Sequence, residues 1–210
     1  MEEVLEVYHR PADPEVPLVC LDEFCKQLLG ETRSAVAASP GKPKRIDYEY
    51  TRHGSVSGFM ISLPHRGERH VYFGDEGRRT AQDFAHCLDY LANELLADAP
   101  RIVLVMDNLN IHRAASLYQY HPAEKAFRLW QRFEVHYTPV HGSWLNMAEI
   151  EIGLMARRCL DRHIDNFATI KEEVAAYTTT KNASPKPINW QFTHNDARTK
   201  LQSLYPSTYA

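Results

Sequence analysis

The stretch VLVMDNLNIH, Val103–His112, sets four apolar residues against an aspartate, then places two asparagines and a histidine in the next five positions. So unbroken an apolar run suits a strand covered on both faces, as in the sheets of α/β proteins. Extended back to Arg101 and bounded by Pro100, this strand delivers Asp107 to the end of a buried layer. A second run of the same kind lies upstream: VPLVCLDEF, Val16–Phe24, has a proline at its entrance and ends in Asp22 and Glu23.

Working outward, SPGKPKR (Ser39–Arg45) reads as a basic loop. Residues 46–64 alternate on either side of the breaker His53-Gly54-Ser55, and Arg69–Gly74 follows a turn, so two or three antiparallel strands form a meander. From Thr80 the period becomes helical, with Phe84, Leu88, Leu91 and Leu95 on one stripe and Thr80 and Asp83 placed as a capping box. Beyond the central run, His121–Phe133 reads as a helix, Glu134–Val140 as a strand, and Ser143–Leu160 and Phe167–Asn182 as helices. The segment from Pro185 to Ala210 is polar, with no clear element. Strands first, then alternating helix and strand, predict a mixed α/β fold.

At 210 residues, 44% hydrophobic and 24% charged, the chain can bury one substantial core. No run approaches the roughly 18 apolar residues of a membrane span, and the first residues are acidic where a signal peptide is basic, so a soluble cytosolic protein with no membrane partner is expected. Cys20, Cys25, Cys87 and Cys159 form no CxxC pair and read as reduced, mostly buried thiols. A net charge of −3 argues against a whole-surface nucleic-acid binder and leaves room for local basic patches.

Three carboxylates stand out by position. Asp22 and Asp107 close their strands, at the edge where α/β sheets build ligand sites, and Glu149 falls in the first turns of a later helix. If the two strands are neighbours, the carboxylates come close, and mutual repulsion is relieved only by a cation. Oxygen donors favour Mg²⁺ or Mn²⁺, and two such ions could drive phosphodiester cleavage. Bland alternatives stand beside this. Strand-end aspartates are often turn or cap residues, Asn146 can cap the helix with Glu149 as its capping-box partner, and Glu151 competes with Glu149. On a helical wheel both glutamates flank the apolar stripe; the Glu149 side, with Asn146, Gly153 and Ala156, leaves more room for an ion.

VCLDE, VLVMDNLNIH and HYTPVHGSWLNMAEIE together, in this order, resemble the catalytic domain of bacterial insertion-sequence transposases related to mariner, the DDE class. The resemblance runs from about Val16 into the tail, where NWQFTHNDARTKLQSLYP is similar to the family's end. It implies a ribonuclease H-like, retroviral-integrase-type fold: a mixed five-stranded sheet with helices on both faces. It assigns the catalytic and metal-binding acids to Asp22, Asp107 and Glu149. Residues 1–15 then form a lead-in, 16–183 the catalytic domain and 184–210 a tail packing on or extending it. The implied activity is metal-dependent cleavage at transposon ends and strand transfer into target DNA, with two Mg²⁺ or Mn²⁺ ions, a second transposase protomer, and action in the bacterial cytoplasm on nucleoid DNA. Such transposases carry a helix-turn-helix region ahead of the catalytic domain, which this chain is expected to lack. A same-fold nuclease without strand transfer, or an idle remnant serving as a binding module, are the rival readings.

Around these acids, Asn108 and His112 can orient Asp107, and Asn146 supports the helix start. Trp144 is expected to anchor that helix rather than to stack on a base. Glu23 is a spare ligand in composition, yet strand alternation points it away from Asp22. Lys42, Lys44 and Arg45, and Arg157, Arg158, Arg162 and His163, can follow a DNA backbone or simply face solvent.

Overall fold

The computed structural model describes residues 1–33, 36–43, 49–140, 142–202 and 205. Its framework is one mixed sheet in the order β3-β2-β1-β4-β5, built from β1 (Leu18–Glu31), β2 (Tyr50–Leu63), β3 (Glu68–Tyr72), β4 (Ile102–Met106) and β5 (Phe133–Tyr137). β1, β2 and β3 form the antiparallel meander, while β1–β4 and β4–β5 run parallel. The helices are α1 (Glu2–His9), α2 (Ala81–Tyr90), α3 (Ala114–Tyr120), α4 (Ala123–Gln131), α5 (Ala148–Arg158), α6 (Phe167–Asn182) and α7 (His194–Lys200).

Strand alternation sorts the core into two layers. Val19, Leu21, Leu104 and Met106 pack with Phe84, Leu88, Leu117 and Leu129, from α2, α3 and α4. Cys20, Val103 and Val105 point the other way, to Leu5, Met155, Ile170 and Ala197, from α1, α5, α6 and α7. β4 is apolar throughout because both its faces are covered: all five of its residues are buried. Each fully buried Leu or Ile of this kind contributes about 1.5–3 kcal/mol.

Several elements differ from the sequence reading. Glu2–His9 is a helix, burying Val4, Leu5, Val7 and Tyr8; two turns are too short to stand on propensity, and packing carries them. β2 runs unbroken through His53-Gly54-Ser55, because Gly54 takes a positive φ of 97° and the β1 register shifts between Gln27 and Leu29. The Thr80–Asp83 capping box forms as read; α2 then widens into a π-helical turn, Leu91–Leu95. The helix expected from Ser143 starts later: Ser143–Leu145 is a 3₁₀ turn, and α5 begins at Ala148. In the tail, Thr193 and Asp196 build a second capping box that starts α7. Among the described residues no helix is long and apolar enough to cross a membrane.

Candidate active site

The parallel pairing of β1 with β4 sets the site. Leu18, Val19 and Cys20 lie opposite Val103, Leu104 and Val105; continued two residues further, that register leads Asp22 toward Asp107, whose charge acts on it. β4 stops at Met106 whereas β1 continues, so Asp107 stands at the open carboxyl edge of the sheet with its side chain 26% exposed.

Asn146 joins this edge to α5. It is fully buried, its amide donating to the Leu21 carbonyl at 2.7 Å and to Asp22 Oδ2 at 3.2 Å, while its Oδ1 accepts from the Ala148 N–H at 3.1 Å. Asn146 is therefore less a helix cap than a clip between β1 and the start of α5. The Tyr8 hydroxyl braces the same turn by donating to the Leu145 carbonyl at 2.6 Å. The two competing glutamates separate cleanly. Glu151 is buried and takes a two-pronged bond from Arg69, at 3.0 and 3.1 Å. Glu149 is exposed, forms no capping box, and its carboxylate has no hydrogen-bond partner among the described residues.

Electrostatics bring the three acids into one system. Burial pushes the Asp22 carboxyl up to about 7; a hydrogen bond from the Glu23 N–H opposes this, and the charges of Glu23, Asp107 and Glu149 add to it. An all-oxygen donor set with one carboxylate held this far from its ordinary range, and another unpartnered, fits a hard divalent cation. The three acids thus make an electrostatically linked cluster.

On the opposite face of β1, Glu23 is buried as alternation requires and meets His112, which is fully buried. Burial pulls the His112 imidazole down, but hydrogen bonds to Asp107 and Glu23 outweigh it and raise it to about 9. Among the described residues, Glu23, Asp107 and His112 are the one trio of metal-ligand types with donor atoms within 4.8 Å of one another; Asp22, Asp107 and Glu149 are more widely spread. The Glu23 link escaped the sequence reading. Its only signal was a carboxylate on the otherwise apolar Val19-Leu21 face.

The remaining residues scatter. Asn108 is exposed. Trp144 is 42% exposed and meets the Phe192 ring of the tail edge-on at 5.6 Å. Lys42 is exposed in a small bridged turn with Ser39, and Lys44 and Arg45 lie outside the described residues. Arg157, Arg158 and Arg162 line a cleft of about 440 Å³ between α5 and α6, where Arg162 pairs with Glu173 at 2.5 Å.

A mixed five-stranded sheet in this order, flanked by helices, with one acid inside β1 and another just past β4, is the ribonuclease H-like fold of the DDE enzymes. The model of the DDE superfamily endonucleases matches residues 17–171, and the chain belongs to that family. Its fold is similar to that of the Mos1 mariner paired end complex with Mn, at a TM-score of 0.57 and 17% identity over 86% of this chain and 53% of that one. The Mos1 Strand Transfer Complex gives 0.55 and 16% over 86% and 52%, and a pre-cleavage Mos1 transpososome 0.57 and 16% over 86% and 53%. This chain therefore spans about half the length of the transposase chains it matches. No curated protein matches it in sequence.

Proposed function

We propose that this chain is the catalytic domain of an insertion-sequence DNA transposase of the mariner-related kind, with Asp22, Asp107 and Glu149 as its catalytic and metal-binding acids. The observation that carries the proposal is the convergence of three carboxylates from β1, β4 and α5 at one open sheet edge, where their charges act on Asp22. Bound there, two Mg²⁺ or Mn²⁺ ions supply Lewis acidity that activates a hydroxyl nucleophile and offsets charge on the leaving oxygen.

The chain's own residues set the geometry. Asn146 and the Glu23 N–H hold the two Asp22 oxygens, at 3.2 and 2.8 Å, so Asp22 presents a fixed carboxylate. His112 holds Asp107 in the same way, at 2.6 Å. Glu149, exposed and unpartnered among the described residues on the first turn of α5, is the third acid of the proposed set. Exposed Asn108 is placed to meet a phosphate, and Lys42, Lys44, Arg45, Arg157, Arg158 and Arg162 are offered to the DNA backbone. In this reading water attacks a phosphodiester at the transposon end, and the freed 3′-hydroxyl then attacks target DNA. End recognition by a helix-turn-helix region outside these residues and pairing with a second protomer belong to the proposal, as does action in the bacterial cytoplasm on nucleoid DNA.

The test is an assay with pre-cleaved transposon ends, a target plasmid and Mn²⁺. Joined end–target products support a transposase. Plasmid nicking without joining assigns the same site to a nuclease, and neither product overturns both readings.

A further inference from the structure

Glu23 sits beside Asp22 in sequence but turns its carboxylate into the layer of Phe84 and Cys87, where it is 2% exposed. A carboxylate buried among apolar groups is costly unless paired. Its partner is His112: Nε2 lies 2.7 Å from Glu23 Oε1, and Nδ1 lies 2.6 Å from Asp107 Oδ1 and 3.1 Å from the Asp107 carbonyl. Both ring nitrogens thus lie within reach of a carboxylate oxygen, and Nδ1 also meets the Asp107 carbonyl. The ring is fully buried and rests against Phe84, 4.7 Å between centroids. At the same time the Glu23 N–H donates to Asp22 Oδ1 at 2.8 Å. One residue thereby reaches both aspartates, Asp22 through its backbone and Asp107 through the imidazole.

We propose that Glu23 is a positioning residue: through His112 it locks the Asp107 carboxylate with Oδ1 turned to the ring, leaving Oδ2 as the oxygen presented to a cation. This rests on Asp107 being a metal ligand, as proposed above. Glu23, His112 and Asp107 are spaced as hydrogen-bonding partners. Ligands about 2.0–2.2 Å from a shared ion stand roughly 3 Å or more apart, whereas these pairs touch at 2.6 and 2.7 Å. A small carboxylate at a partly open edge otherwise samples several rotamers, and outer partners that fix a ligand are worth about 10–100-fold in metal affinity.

The experiment is a Mn²⁺ titration of the protein without DNA, read by electron paramagnetic resonance, with folding checked by thermal melts. Glu23→Met fills the apolar layer without charge, His112→Phe keeps the ring stack without hydrogen bonds, and Glu23→Gln retains an acceptor for Nε2–H. The expected result is about 10–100-fold weaker Mn²⁺ binding for the Met and Phe variants, no further loss when the two are combined, and affinity largely restored by Gln. Wild-type affinity in Glu23→Met, with binding lost in Asp107→Ala, overturns the positioning role and leaves the proposed function standing. Unchanged binding in Asp107→Ala as well removes the proposed function and this inference together. Unfolding of both Glu23→Met and His112→Phe assigns the pair to fold stability alone and also overturns the proposal.

Discussion

Asp22→Asn should make the metal-free protein more stable while abolishing its chemistry. Asp22 has its carboxyl raised from 3.8 to about 7, so the folded state disfavours the ionised form. This penalty is absent below pH 3.8 and complete above about pH 7. At about 1.36 kcal/mol per pKa unit it is on the order of 4 kcal/mol at pH 8. The amide removes the charge but turns a donor toward the Asn146 amide, which now bonds Asp22 Oδ2 at 3.2 Å, at a cost of about 1 kcal/mol. A net gain of about 2–3 kcal/mol remains, or roughly 5–10 °C in Tm for a domain of this size. Thermal unfolding of wild type and variant in chelator at pH 8 and pH 4 measures it. The gain should be present at pH 8, vanish by pH 4 as wild-type Asp22 protonates, and shrink at pH 8 when Mn²⁺ is added to both. A variant no more stable than wild type at pH 8 would refute the claim that Asp22 carries unneutralised charge.

The two glutamates of α5 should part company: Glu149→Gln is expected to melt within about 0.5 kcal/mol of wild type and lose nicking. Glu151→Ala leaves Arg69 buried without its partner and should cost about 3–5 kcal/mol in denaturant unfolding. Leu104→Ala, in the doubly covered β4, should cost about 2–5 kcal/mol by the same measurement. Thr80→Ala removes one half of the α2 capping box and should cost about 1 kcal/mol, with no change in Mn²⁺ affinity.

The readable parts of the fold were those where local chemistry and tertiary position agree. The apolar run Ile102–Met106 is buried on both sides, and the Thr80–Asp83 box caps α2 as its spacing requires. Asp107 follows the last residue of β4, as its place after an apolar run suggested, whereas Asp22, read as closing its strand, lies inside β1, which continues to Glu31. What stayed hidden depends on contacts far apart in sequence. α1 is held by docking onto β5 and α7; the helical spacing of Val4, Leu5, Val7 and Tyr8 spans only two turns, too short a run to mark a helix by itself. His53-Gly54-Ser55 has the composition of a breaker, but pairing with β1 on both sides of it, Arg52 with Leu29 and Ser55 with Gln27, carries β2 through. Glu149 and Glu151 both flank the apolar stripe of α5 in sequence; that Glu151 is taken up by Arg69, 82 positions away, is visible only in the fold. Glu23 needed His112, 89 positions away.

The most direct test of the central claim is Mn²⁺-dependent nicking of supercoiled plasmid by wild type and by Asp107→Ala, purified alike and both folded by melting temperature. The account predicts open circles from the wild type that disappear with chelator, and none from Asp107→Ala above the chelator control. Equal nicking by the two proteins would contradict it.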